Sequence, residues 1–66
     1  MEIIVNGIKK KFKSGLTLEA LLIHLDLANK KVAIEVNEEI ISRSQLKNKL
    51  VVNGDKIEII KAVGGG

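Results

Sequence analysis

Sixty-six residues, 45% of them hydrophobic, make one small globular domain, and a chain this short buries only about 60% of the surface it exposes unfolded, too little for a deep, water-excluding active site. With no Cys there is no disulfide staple and no cysteine zinc site, so stability rests on packed aliphatic side chains. Eleven Lys and Arg against eight Asp and Glu give a net charge of +3, but with one Phe and neither Trp nor Tyr the chain lacks the stacking surface of a nucleic-acid binder.

The first segment, MEIIVNG, reads as a strand closed by Asn6-Gly7, residues that tolerate the positive φ a two-residue hairpin turn requires. IKKKF follows with alternation, Ile8, Lys10 and Phe12 on one side and Lys9 and Lys11 on the other. Together with Lys13 these lysines are the only basic cluster; they read as the solvated face of an edge strand, protected by charge from aggregation. Ser14-Gly15 breaks the strand. Thr17 sits at a helix N-cap, where its hydroxyl accepts a bond from the free N–H groups of the first turn, and Glu19 suits the positive end of the helix dipole. Leu18, Leu21, Leu22 and Leu25 predict an amphipathic helix of about two and a half turns, widened by Ile23 and ended by the polar stretch Asn29 to Lys31.

KVAIEVN restores strand character, with Val32, Ile34 and Val36 on one face. Asn37-Glu38 predicts a turn, Glu39 to Ile41 a short partner strand, and SRSQLKNKL a loop or a single helical turn. Asn53-Gly54-Asp55 is a further turn signal, and KIEIIK is the last strand, with Ile57 and Ile59 in phase. This order predicts an α+β domain, a mixed sheet of four to five strands packed on one helix, with the first and last strands as parallel neighbours. The expected organisation is a single domain over residues 1–62 followed by a flexible glycine-rich tail, 63–66.

The folded body offers no catalytic set. His24 is the only histidine and has no Cys beside it, so no metal site is expected. Adjacent Glu38 and Glu39 point apart in a strand or turn, and Ser42 and Ser44 have no base partner. No glycine-rich phosphate loop precedes the helix. No apolar run approaches the ~20 residues of a membrane span and no signal-peptide core follows Met1, so a cytoplasmic protein is expected, without nucleic-acid or membrane partners. The exception is KAVGGG. Three consecutive glycines after the final strand, with no Cβ, can stay slim enough to thread a narrow channel, and the terminal carboxylate of Gly66 is a chemical handle. Activated with ATP, it could accept sulfur or acylate an amine. Either route needs another protein to hold the nucleotide.

The VNG turn, the LTLEALL helix, the VAIEVN strand, the II-S-R-S segment and NGDKIEIIKAVGGG together resemble the ThiS family, the sulfur carriers of thiamine thiazole synthesis. The resemblance spans essentially all 66 residues and is most specific from Asn53 to Gly66. Two positions depart from the family pattern: Asn53 stands where an Asp is usual, and Ser42 replaces a proline before the arginine, a change expected to loosen that loop. The resemblance implies a ubiquitin-like β-grasp fold and a carrier rather than an enzyme. It also implies that a ubiquitin-activating-like adenylyltransferase activates the Gly66 carboxylate, that a sulfur donor of the cysteine desulfurase type converts it to a thiocarboxylate, and that thiazole synthase takes the sulfur. The chain itself is expected to bind no cofactor, ATP being held by the activating partner.

Strand alternation adds an expectation about the partner face. If Ile3 and Val5 face the helix, Ile4 points the other way; if Ile57 and Ile59 point inward, Ile60 points outward. With first and last strands adjacent, Ile4 and Ile60 would form an apolar patch beside the tail, and with Ala62, Val63, Gly64 and Gly65 they are the expected partner-binding residues. Three other readings share this pattern: the carrier subunit of molybdopterin synthase, a protein-tagging modifier, and a ubiquitin-like binding module with an inert tail.

Overall fold

Four side chains with almost no exposure, Ile3, Leu18, Leu21 and Ile57, mark the centre of the molecule and come from a strand, a helix and the last strand. The computed structural model describes residues 1–61. In chain order these form β1 (Glu2–Val5), β2 (Ile8–Lys11), α1 (Leu18–His24), β3 (Val32–Val36), β4 (Glu39–Ile41), a 3₁₀ turn (Arg43–Gln45) and β5 (Lys56–Lys61). The five strands make one sheet in the order β2-β1-β5-β3-β4. β1 and β5 run parallel and every other pair is antiparallel, so the sheet is mixed, as expected. The strand that ends nearest the chain terminus occupies the middle of the sheet.

Alternation decides which face is buried. Ile3 and Val5 of β1, Ile34 and Val36 of β3, Ile41 of β4, and Ile57 and Ile59 of β5 join Leu18, Leu21 and Leu22 of the helix in one apolar cluster. Each such side chain withdrawn from water contributes about 1.5–3 kcal/mol. The strand β2 lies at the sheet edge with Lys9 and Lys11 exposed, which places the basic cluster where it discourages further strand pairing.

Both hairpins close with two residues at positive φ, Asn6-Gly7 (50° and 82°) and Asn37-Glu38 (51° and 71°), matching the twist of the strands they join. Gly7 adopts this freely. Glu38 carries a Cβ, and the left-handed region costs such a residue about 1–2 kcal/mol. Glu38→Gly removes that strain at the cost of extra chain entropy when unfolded, so we expect a net gain of about 0.5–1 kcal/mol and a rise in Tm of roughly 3–6 °C. An unchanged or lower Tm would mean the turn is not strained.

The helix begins as expected, with Thr17 Oγ1 accepting from the Ala20 N–H at 3.1 Å. It ends sooner than expected, at His24 rather than near Asn29. Asp26 takes φ 59°, its N–H donating to the Ile23 carbonyl at 3.0 Å, while Leu27 N–H reaches the Leu22 carbonyl at 2.8 Å. That paired arrangement satisfies the last carbonyls and folds Leu27 back against the core.

Beyond β4, Ser42 closes its segment rather than loosening it. Its backbone N–H donates to Gln45 Oε1 at 2.8 Å and its hydroxyl to the same oxygen at 2.9 Å. A proline at 42 could not make the first of these bonds. The stretch 46–51 then returns under the helix, with Leu18 N–H on the Lys49 carbonyl at 3.0 Å and Val51 N–H on the Leu16 carbonyl at 2.8 Å.

Candidate functional site

The end of the sequence expected to carry the chemistry follows β5, so the candidate site is built around how that strand is held. Two asparagines from the two hairpin turns grip it from opposite sides. On the β1 side, pairing runs only through Ile4↔Lys56 and Val5↔Ile57 before β1 turns away. The Asn6 backbone N–H still reaches the Ile57 carbonyl at 2.9 Å. Its carboxamide then takes over: Oδ1 accepts from the Ile59 N–H at 2.7 Å and Nδ2 donates to the Ile59 carbonyl at 3.1 Å.

On the β3 side, Asn37 Oδ1 accepts from the Lys56 N–H at 2.9 Å and its Nδ2 donates to Asp55 Oδ1 at 3.0 Å. Asp55 Oδ2 accepts from the Val52 N–H at 2.9 Å. Only 6% exposed, Asp55 is the one polar side chain among the buried residues described. Asn53 Oδ1 accepts from the Glu2 N–H at 2.8 Å, a bond that needs an oxygen and is met by Asn as well as by the family's usual Asp. Residues 53–55 therefore knot the starts of β1 and β5 to the β3–β4 turn.

Ile60 lies on the face away from the helix and is 58% exposed. Its partner across β3 is Ala33, and Ile40, also exposed, lies diagonally beyond on β4. Ile4 shares that outer face and is half-buried. The two isoleucines stand on neighbouring strands as expected, but the register sets Lys56, not Ile60, opposite Ile4. Four residues of strand separate the two levels, about 13 Å, with Glu58 between. The apolar patch nearest the end of β5 is therefore Ile60 with Ala33 and Ile40. Ala62, Val63, Gly64, Gly65 and Gly66 lie outside the described residues.

Beside the end of β5 an open depression is walled by residues 28–33, Arg43, Ile60 and Lys61. Every charged residue on that wall is basic: Lys30, Lys31, Arg43 and Lys61. His24 lies apart from this region, exposed, with its ring edge-on to Phe12 at a centroid distance of 5.0 Å. Among the described residues no three His, Cys, Asp or Glu side chains converge as metal ligands, and no helix is long and apolar enough to cross a membrane.

A model of the ThiS family matches residues 3–66. The chain belongs to the ThiS family. The sulfur carrier protein ThiS of Escherichia coli (strain K12) is 30% identical over 66 residues, covering all of both chains. That of Bacillus subtilis (strain 168) is 38% identical over 63 residues, 94% of this chain and 96% of the relative. A thiazole synthase of Paramagnetospirillum magneticum is 41% identical over 66 residues, and there this chain spans 20% of the relative's length. The crystal structure of the thiamine biosynthesis protein ThiS from Geobacter metallireducens superposes with a TM-score of 0.84 at 30% identity, over all of both chains. The mixed sheet on a single helix is thus the ThiS architecture.

Sequence reasoning found the strands, the turns and the outward exposure of Ile60. It missed the second role of Asn6 and Asn37, whose positive φ explained them fully as turn formers, and it missed the burial of Asp55. A three-residue Asn-Gly-Asp signal is ordinarily solvated, and nothing local reveals that its carboxylate is covered.

Proposed function

We propose that this chain is a sulfur carrier for formation of the thiamine thiazole ring, loaded at the Gly66 carboxylate, and a substrate of its partners rather than a catalyst. The observation that carries the reading is membership of the ThiS family over 3–66, a match that includes the glycine run that begins at Gly64, beyond the central strand. A ubiquitin-activating-like adenylyltransferase holds ATP in the cytoplasm. The carboxylate oxygen attacks the α-phosphorus and pyrophosphate leaves, giving the acyl-adenylate. A persulfide from a donor of the cysteine desulfurase type displaces AMP to form an acyl disulfide. A second thiol on the donor side cleaves the S–S bond, releasing the thiocarboxylate and leaving a disulfide behind. Thiazole synthase is then the acceptor of the carried sulfur.

The absence of Cys from this chain suits the scheme, since the sulfur has no side chain to ride on. The partners are proposed to meet the face that carries Ile60 and Ile4 and to receive Ala62, Val63, Gly64 and Gly65 in a narrow channel. The basic wall of Lys30, Lys31, Arg43 and Lys61 favours a partner surface rich in carboxylates around that channel.

The test is the intact mass after incubation with ATP, a sulfide source and a purified adenylating enzyme of thiamine synthesis. Exchange of one terminal oxygen for sulfur is expected; no change in mass would sink the carrier reading. Ile60→Lys should weaken binding to that enzyme by about tenfold or more, because an exposed anchor becomes a charge, while the Tm stays unchanged. Equal affinity for the variant would remove Ile60 from the interface.

A further inference from the structure

Asn6 does more than turn the chain. In a parallel pair the strand beside β5 would continue past Val5 and offer a peptide group to Ile59. Here β1 ends, and a carboxamide, chemically a peptide group on a side chain, supplies both an acceptor at 2.7 Å and a donor at 3.1 Å to the same residue. The orientation of that amide is determined by its partners, since an N–H needs the oxygen and a carbonyl needs the NH₂. These bonds span 53 positions in sequence and lie two residues before Lys61, the last residue of β5.

We propose that Asn6 is a positioning residue for loading of the terminus, fixing the line along which the chain leaves the sheet. The proposal rests on the reading that the Gly66 carboxylate is adenylated. A strand held on both sides up to Ile59 has its last described residues, Ile60 and Lys61, set in one direction. Released on the β1 side, its last residues are held only by β3, where Val32↔Lys61 and Ala33↔Ile60 pair. The docking face stays in place, but the angle of delivery is no longer fixed. Misplacement of a reacting group by about 1 Å can cost up to a hundredfold in rate.

Asn6→Gly separates the two roles of the residue. Glycine keeps φ 50° without strain, so the turn survives, while the carboxamide is lost. Asn6→Asp keeps one acceptor and loses the donor. Three readouts serve: amide hydrogen exchange at Ile59 and at Ile57 in the free protein, Tm, and steady-state ATP–pyrophosphate exchange with a purified thiamine-pathway adenylating enzyme. We expect faster exchange at Ile59 than at Ile57 in Asn6→Gly. We also expect kcat to fall about tenfold, half of the way on a logarithmic scale to the roughly hundredfold limit for full misplacement, with KM for the carrier within about twofold. Asn6→Asp should lie between the parent and the glycine variant.

An unchanged kcat in a folded Asn6→Gly protein would overturn the proposal and leave Asn6 a stability residue only. A rise in KM with kcat constant would overturn it equally, since that places the residue in docking. If the parent protein itself supports no exchange of pyrophosphate, the adenylation reading fails and the proposal goes with it. That result is distinguishable because it precedes any variant.

Discussion

Asp55→Ala should destabilise the protein by about 3 kcal/mol and lower its Tm by more than about 10 °C, measured by thermal melting followed by circular dichroism. The carboxylate is 6% exposed and accepts from the Val52 N–H at one oxygen and from Asn37 Nδ2 at the other. Alanine leaves both donors without a partner in a place water reaches poorly, and each such loss costs about 1–3 kcal/mol. A domain of this size rarely has more than about 3–5 kcal/mol in reserve, so a large part of the variant should be unfolded at 37 °C. Asp55→Asn is not a neutral control. Its NH₂ must face either the Val52 N–H or Asn37 Nδ2, and Asn37 cannot flip to accommodate it without turning its own NH₂ toward the Lys56 N–H. About half the loss is expected there. A Tm within a few degrees of the parent for Asp55→Ala would show that the knot at 53–55 is dispensable.

Gly66→Ala should abolish loading of sulfur, by at least about a hundredfold in rate, and leave the melting transition where it was. The stability side of that expectation follows from the core. Every buried hydrophobic residue among those described lies between Ile3 and Ile59, ahead of the glycines. The activity side follows from the proposed loading: a methyl beside the Gly66 carboxyl widens the chain where the proposed partner channel would enclose a glycine backbone. Intact mass after the loading reaction reads both outcomes in one sample, since unmodified and thiocarboxylated chains separate. A Gly66→Ala protein loaded at the parental rate would contradict the channel. Deleting Gly65 and Gly66 gives the matching control, expected to melt like the parent and to gain no sulfur.

What was legible in advance had short-range causes. Alternation in EIIV, VAIEV and KIEIIK marked three strands, Asn-Gly and Asn-Glu marked two turns, and Thr17 marked the start of the helix. The end of the helix was not legible, because the residue in the left-handed position is Asp26 where glycine would have signalled it. The separation of Ile4 from Ile60 was hidden for a different reason. Alternation assigns a face to each residue, but the level at which two parallel strands pair depends on contacts across fifty residues, here the anchoring of Glu2 and Gly54 near the base of β1. Asn6, Asn37 and Asp55 illustrate a third limit. Polar residues at turns look solvated in any local window, and their long-range bonds exist only once the sheet is assembled.

The central place of β5 also bears on synthesis. Until the ribosome has delivered residues 56–61, the β1–β2 and β3–β4 hairpins share no strand between them, and an isolated hairpin is marginal in water. The domain therefore cannot fold while its last strand is still in the exit tunnel. A product broken off before Lys56 would lack the middle of its sheet and be exposed to proteases. A chain shortened before that point cannot assemble its sheet, so folding itself reports that translation has reached residues 56–61.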